Sequence, residues 1–310
     1  MGDVKKIATR EAYGEALVEL IDEGMDIVAV DADTAEATRL TAVKKAHPER
    51  FVDVGIAEQD MIGVAAGLSL TGKIAFTASF AVFGTGRCYD QIRNTVCDAG
   101  LNVKVCPTHA GITAGEDGAT HQSLEDIGMM RALPQMRVLV PCDYASTKAA
   151  LRLAAETYGP MYVRMGRLPV PTIYEPGIKL ELGGSDTLRE GTDVTLVACG
   201  VEVSVALEAA EALAAEGISA EVINAYSIKP LDEETIVKSA AKTGLVITCE
   251  EHNVNTGLGA AVAELLAERQ PTRMRFFGMR TFGTAGPGDK VLQHFHLDAD
   301  GLVAFVKETL

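Results

Sequence analysis

Short apolar runs alternate with amphipathic stretches along almost the whole chain, and few folds accommodate that rhythm. Arg10 to Glu23 has the apolar spacing of a helix, and IVAVD (Ile27 to Asp31) then reads as a buried strand. Phe51 to Val54 is a second such run, followed by Met61, Val64, Ala65 and Leu68 at helical spacing. GTGRCYDQIRNTV predicts a helix through Tyr89, Ile92 and Val96, and Asn102 to Val105 a strand. SLEDIGMMRAL and ASTKAALRLAAETYG read as helices, MRVLVP as a strand, and GPMYVRMGR as the last strand of a first unit. Between Leu168 and Glu190 three prolines and three glycines break the pattern. A second unit follows, with strands near Val194 to Ala198, Ala220 to Ile223 and Leu245 to Cys249, and helices near Val203 to Ala215, Glu233 to Ala241 and Gly257 to Arg269. The expected fold is α/β: two consecutive three-layer αβα domains with mostly parallel sheets, residues 1–168 and 191–310, joined by a linker at 169–190.

Composition narrows the partners. With 47% hydrophobic and 23% charged residues the chain is an ordinary globular protein, and the start MGDVKKIATREAYG lacks the apolar core of a signal peptide. No run is long and apolar enough to suggest a membrane span. The six cysteines have no metal-ligand spacing and are expected to be reduced thiols of a cytoplasmic protein. A net charge of −15 argues against nucleic acid and anionic membrane as partners. Any anionic substrate would need local arginines and histidines.

Chemistry-bearing side chains concentrate where strands end. Glu58 falls in the first turn of a helix that follows a strand and Gly55, a position where ligands dock in α/β sheets and where a carboxylate is also favoured by the helix dipole alone. Asp33 follows IVAVD and on position alone reads as a helix cap, while Arg10 reads as a surface charge. THAGITAGEDGATHQSLED, Thr108 to Asp126, combines three glycines with His109, Asp117 and His121, which suits a mobile substrate loop and fits no zinc spacing. Glu250, Glu251 and His252 are adjacent on a strand end, so their side chains point in different directions and make a poor metal site. The glycines of Thr256 to Ala260 lack a full dinucleotide fingerprint.

GIAEQDMIGVAAGLSLTG with TASFAVF, ATR, DADTAEAT and GEDGATHQ together resemble the pyrimidine-binding domain of thiamine diphosphate enzymes, transketolases in particular, and the second unit resembles the transketolase C-terminal domain. The resemblance implies that Glu58 hydrogen-bonds the cofactor's aminopyrimidine and favours its imino form, that Phe80 and Phe83 pack on that ring, and that Asp33 lies near it. It implies further that Arg10 and Arg167 anchor the substrate phosphate, that His109 contacts the substrate or its phosphate, that Asp117 binds a sugar hydroxyl and His121 the reacting region, and that His109, Asp117 and His121 align hydroxyls and shuttle protons. Arg164 matches no functional residue. A Glu in the Glu58 role should be partly desolvated. Three positions depart from the pattern: Ala37 stands where many transketolases have a phosphate-binding serine, Gly86 where they have a third aromatic (a role Tyr89 is placed to take), and Ala119 where they have a proline.

Full-length transketolases hold Mg²⁺ and the diphosphate through a GDG motif in an earlier domain, and no part of this sequence is assignable to that task. The resemblance therefore implies the carboxyl-terminal subunit of a split transketolase, with a separate diphosphate-binding subunit as partner, self-association in a heterotetramer, and transfer of a two-carbon ketol unit between sugar phosphates. Deoxyxylulose phosphate synthases and the beta-type subunits of 2-oxo acid dehydrogenases share the architecture. A cofactor-binding regulatory subunit is the reading outside catalysis.

Overall fold

The computed structural model describes residues 5–310. Among the described residues the alternating pattern resolves into fourteen strands: β1 (Lys6–Ala8), β2 (Ile27–Asp31), β3 (Phe51–Asp53), β4 (Ile74–Ala78), β5 (Val103–Val105), β6 (Arg137–Leu139), β7 (Met161–Val163), β8 (Pro169–Pro171), β9 (Asp186–Arg189), β10 (Val194–Ala198), β11 (Ala220–Asn224), β12 (Ser227–Lys229), β13 (Leu245–Asn253) and β14 (Arg273–Met279). The first sheet runs β12-β6-β7-β5-β4-β2-β3 and the second β14-β13-β10-β11-β9, parallel throughout except for the edge strands β12 and β9. Central strands such as β2 and β10 are buried at every residue, which is why they read as unbroken apolar runs.

Helices cover both faces of each sheet and divide the interior into three clusters. One is built around Val30, Met61, Ile92 and Val138, a second around Tyr13, Leu17, Phe76 and Met161, and the third lies mostly in the second unit, around Leu196, Ile247 and Leu302. All six cysteines are free and buried. Among the described residues no helix is long and apolar enough to cross a membrane.

Three features depart from the sequence-based expectation. The stretch Val82–Arg87 and Gln91–Asp98 winds as π-helix, because spacing of apolar side chains does not distinguish i→i+4 from i→i+5 hydrogen bonding. β12, from the second unit, adds antiparallel to β6, so β7 is not the last strand of the first sheet. Residues 169–190 carry two strands of their own: β8 pairs back on β1, and β9 forms the edge of the second sheet.

The two units also share a buried ionic joint. Arg164, 4% exposed, donates from Nε to Asp126 Oδ2 (2.7 Å) and reaches Glu251 Oε1 at 3.5 Å, while Tyr162 donates to Asp126 Oδ2 (2.6 Å). Glu251 accepts from the backbone and hydroxyl of Thr113 (3.0 and 2.7 Å). Glu250 instead accepts from the amides of Leu258 and Gly259 at the start of a helix. Alternation along β13 sends Glu250 and Glu251 to opposite sides. Among the described residues no group of three or more His, Cys, Asp or Glu side chains could hold a metal.

Candidate active site

Five neighbouring strands deliver the candidate residues to one edge. In sheet order β3, β2, β4, β5 and β7 are followed by Glu58, Asp33, Phe80, His109 and Arg167, all at carboxyl ends of parallel strands, where open α/β sheets bind ligands. Arg10 arrives from β1, whose exit is tied to the same edge by Gly166 N–H donating to Thr9 Oγ1 (2.7 Å) and Arg10 N–H donating to Gly166 O (3.3 Å).

Glu58 opens the helix Glu58–Leu70 and is 6% exposed. Its Oε1 accepts from Arg87 Nη1 (2.9 Å), and Oε2 has no hydrogen bond among the described residues. The Arg87 guanidinium lies over the Phe83 ring, 4.2 Å from its centroid, and so joins the carboxylate to the aromatic pair. Phe80 and Phe83 are near-parallel, 14° between planes with centroids 6.3 Å apart. His121 meets the Phe83 ring edge-on at 5.1 Å. Tyr89 packs on the first core and leaves Phe80 and Phe83 as a pair beside exposed Gly86.

His109 stacks on Phe80 at 3.9 Å and is 2% exposed. Arg10 Nη1 donates to its Nε2 (2.9 Å). An arginine only donates, so Nε2 is the acceptor, the proton sits on Nδ1, and Nδ1 donates to Thr108 Oγ1 (2.7 Å). Burial first, then the charges of Arg10, Arg167 and Arg39, hold the His109 pKa down at about 3. His109 is therefore a neutral imidazole at physiological pH.

Arg10 is not the surface charge its position suggested: its side chain is 15% exposed, and it also donates to Ala37 O (3.1 Å). Arg167 donates to Ala114 O (2.7 Å) and pairs with Asp117 (3.2 Å) and Glu116 (2.9 Å), clamping the loop that carries His121. From the other side Gln122 Nε2 donates to Ile112 O (3.0 Å) and Thr284 O (2.9 Å), so a loop of the second unit supports the same segment. Asp33 stands apart, exposed, with a φ of +60° and its N–H donating to Asp53 Oδ1 (3.1 Å). It does not cap the following helix; Asp31 accepts there from the backbone and hydroxyl of Thr34 (2.7 and 3.0 Å). Burial raises the Asp31 pKa to about 6.

One continuous set of contacts thus joins Glu58, Arg87, Phe83, Phe80, His121, His109 and Arg10, with Arg167 and Asp117 on the loop beside it. Two near-parallel rings and a buried carboxylate with an unpaired oxygen suit a flat, nitrogen-bearing heteroaromatic ring. A neutral imidazole between guanidinium groups suits an anion. Arg87, Gln122 and Arg39 escaped the reading of the sequence. Gln122 left a trace there at the end of GEDGATHQ, and Arg87 stood inside GTGRCYDQIRNTV, a string quoted only for its helical spacing.

Comparisons with known proteins place these features in context. Residues 5–172 match the transketolase pyrimidine-binding domain family and residues 183–302 the transketolase C-terminal domain family. A split gene transketolase, described as an inactive beta4 tetramer, superposes with a TM-score of 0.90 at 48% identity over 98% of each chain. A 6-deoxy-6-sulfo-D-fructose transketolase subunit of a Clostridium species is 44% identical over 96% of this chain and 93% of its own. Human transketolase is 35% identical over 97% of this chain, which spans 49% of the human protein.

Proposed function

The chain belongs to the transketolase family, and from that premise we propose that it is the carboxyl-terminal subunit of a split transketolase, transferring a two-carbon ketol unit from a ketose phosphate to an aldose phosphate. Its active site is completed by a separate subunit that binds the diphosphate and Mg²⁺. The observation that carries this reading is the contact set linking Glu58 and the Phe80–Phe83 pair to the Arg10–His109 pair on one strand-end edge.

When bound, thiamine diphosphate supplies a nucleophilic carbon that also accommodates the electrons of the broken carbon–carbon bond. Glu58 would bind a nitrogen of its aminopyrimidine and Phe80 and Phe83 would pack on that ring, with Asp33 at the neighbouring strand end. Arg10, Arg167 and His109 hold the substrate's terminal anion, and that remote anchor positions the carbonyl for attack. Asp117 takes a sugar hydroxyl and His121, against the Phe83 ring, moves protons at the reacting oxygens. His109 acts as a hydrogen-bonding imidazole, since burial keeps it neutral.

Near-complete overlap with the split gene relative supports a two-chain enzyme, and the inactive tetramer of that relative fits a subunit that self-associates and is silent alone. The test is ketol transfer from xylulose 5-phosphate to ribose 5-phosphate with Mg²⁺ and thiamine diphosphate, by this chain alone and mixed with a candidate diphosphate-binding subunit. Activity in the mixture only is expected. Activity from the chain alone would overturn the composite site.

A further inference from the structure

Among the described residues, four that are not glycine adopt positive φ: Asp33, Arg39, His109 and His296. Such backbone is strained for a residue with a Cβ, and it persists where the surroundings impose it, commonly at functional sites. Asp33 and His109 already belong to the strand-end edge, and Arg39 is the third member of that group.

Arg39 closes the short helix Ala35–Thr38 at φ +73°, a place where glycine or asparagine would fit without strain. The surroundings are shaped around it. A Cβ added at Gly14 would lie 2.1 Å from Arg39 O, so Gly14 is what lets the Arg39 backbone approach. The side chain is aimed by two contacts, Nε donating to Glu11 Oε2 (2.8 Å) and Nη1 to Glu36 O (3.0 Å). Nη2 has no partner among the described residues. The other oxygen of Glu11 faces Arg10 Nε at 3.5 Å, so one carboxylate holds two guanidinium groups together. Exposure rises from 15% for the Arg10 side chain to 36% for Arg39, which makes Arg39 the outer member of the pair. Its charge reaches both Arg10 and His109, lowering the pKa of each.

We propose that Arg39 is a specificity-determining residue for the terminal tetrahedral anion of the substrate, forming with Arg10, His109 and Arg167 an anion subsite that relies on guanidinium groups where Ala37 offers no hydroxyl. The inference rests on the transketolase reading above and deepens it. Glu11 is the positioning residue of the subsite, fixing the separation of the two guanidinium groups. In a chain of net charge −15, this cluster is the local exception that an anionic sugar needs.

Two measurements test it. In the reconstituted enzyme, Arg39→Gln should raise KM for a phosphorylated ketose about tenfold with kcat held within about twofold, and lower by about tenfold the preference for that ketose over its unphosphorylated counterpart. Arg39→Lys should recover part of the loss. Equal effects on both ketoses, or none, would overturn the proposal. The second measurement needs no turnover: calorimetric titration of the isolated chain with inorganic phosphate, in wild type and Arg39→Gln. Weaker binding by about tenfold in the variant is expected. Undetectable binding to wild type, or identical affinities, would overturn the proposal. A silent reconstituted enzyme with intact phosphate binding would fault the transketolase reading and leave the anion subsite standing.

Discussion

His109 offers a quantitative test of the site's electrostatics. Its pKa is depressed from 6.5 to about 3, first by burial and then by Arg10, Arg167 and Arg39. Between those values the unfolded chain takes up a proton that the folded chain refuses, so stability falls as the pH drops below about 6.5 by up to about 1.4 kcal/mol per pH unit. From pH 6.5 to 5 the His109 contribution is therefore a loss of about 2 kcal/mol. His252, also buried and depressed to about 4, adds a loss of the same sign. Glu250, raised to about 7 by burial, works oppositely, because its folded form binds the proton more readily as pH falls. The assay is urea unfolding of wild type and His109→Gln at pH 7.5, 6 and 5, with imidazole NMR titration of the wild type. The variant should lose about 2 kcal/mol less than wild type across that range, and the His109 ring should show no titration above about pH 4. Parallel losses, or a His109 titration between pH 5.5 and 7.5, would contradict a His109 held neutral by burial and its arginine neighbours.

Other substitutions probe the packing around the site. Arg164→Leu leaves Asp126 and Glu251 buried without their shared cation and should cost about 3–5 kcal/mol in chemical denaturation; a loss under about 1 kcal/mol would contradict the buried joint. Gly14→Ala places a methyl group 2.1 Å from Arg39 O and should destabilise by about 1–3 kcal/mol, visible in the thermal midpoint, and an unchanged midpoint would show that the two segments separate freely. Phe83→Ala should weaken thiamine diphosphate binding to the mixed subunits roughly tenfold by fluorescence titration, whereas an unaltered Kd would remove Phe83 from the cofactor site.

Local pattern carried the reading of the fold wherever it reported directly on burial. IVAVD is β2 to the residue, and the helix expected from Arg10 to Glu23 spans Glu11–Asp22. It failed where long-range geometry decides. Nothing local distinguishes the π-helical turns after Phe80, and nothing local sends β12 back to pair with β6. The candidate site was legible to the extent that its residues sit in short strings at strand ends or on the loop that follows one, as Glu58, Phe80, Phe83, His109, Asp117 and His121 do. Arg10 was legible only through resemblance, since its burial depends on His109 and Ala37 folding over it. Arg39 was invisible because its role follows from a left-handed backbone and a close approach to Gly14, both set by tertiary packing. Arg164, Asp126 and Glu251 come from separate parts of the chain, and each alone is an ordinary charged residue.

In the proposed function the carboxylate of Glu58 activates a cofactor shared between two chains. The most direct measurement is the rate at which the thiazolium carbon of bound thiamine diphosphate exchanges its proton for deuterium in the mixed subunits, wild type against Glu58→Ala. Exchange is expected to slow at least about a hundredfold in the variant while cofactor remains bound. Equal exchange rates with full occupancy would contradict it.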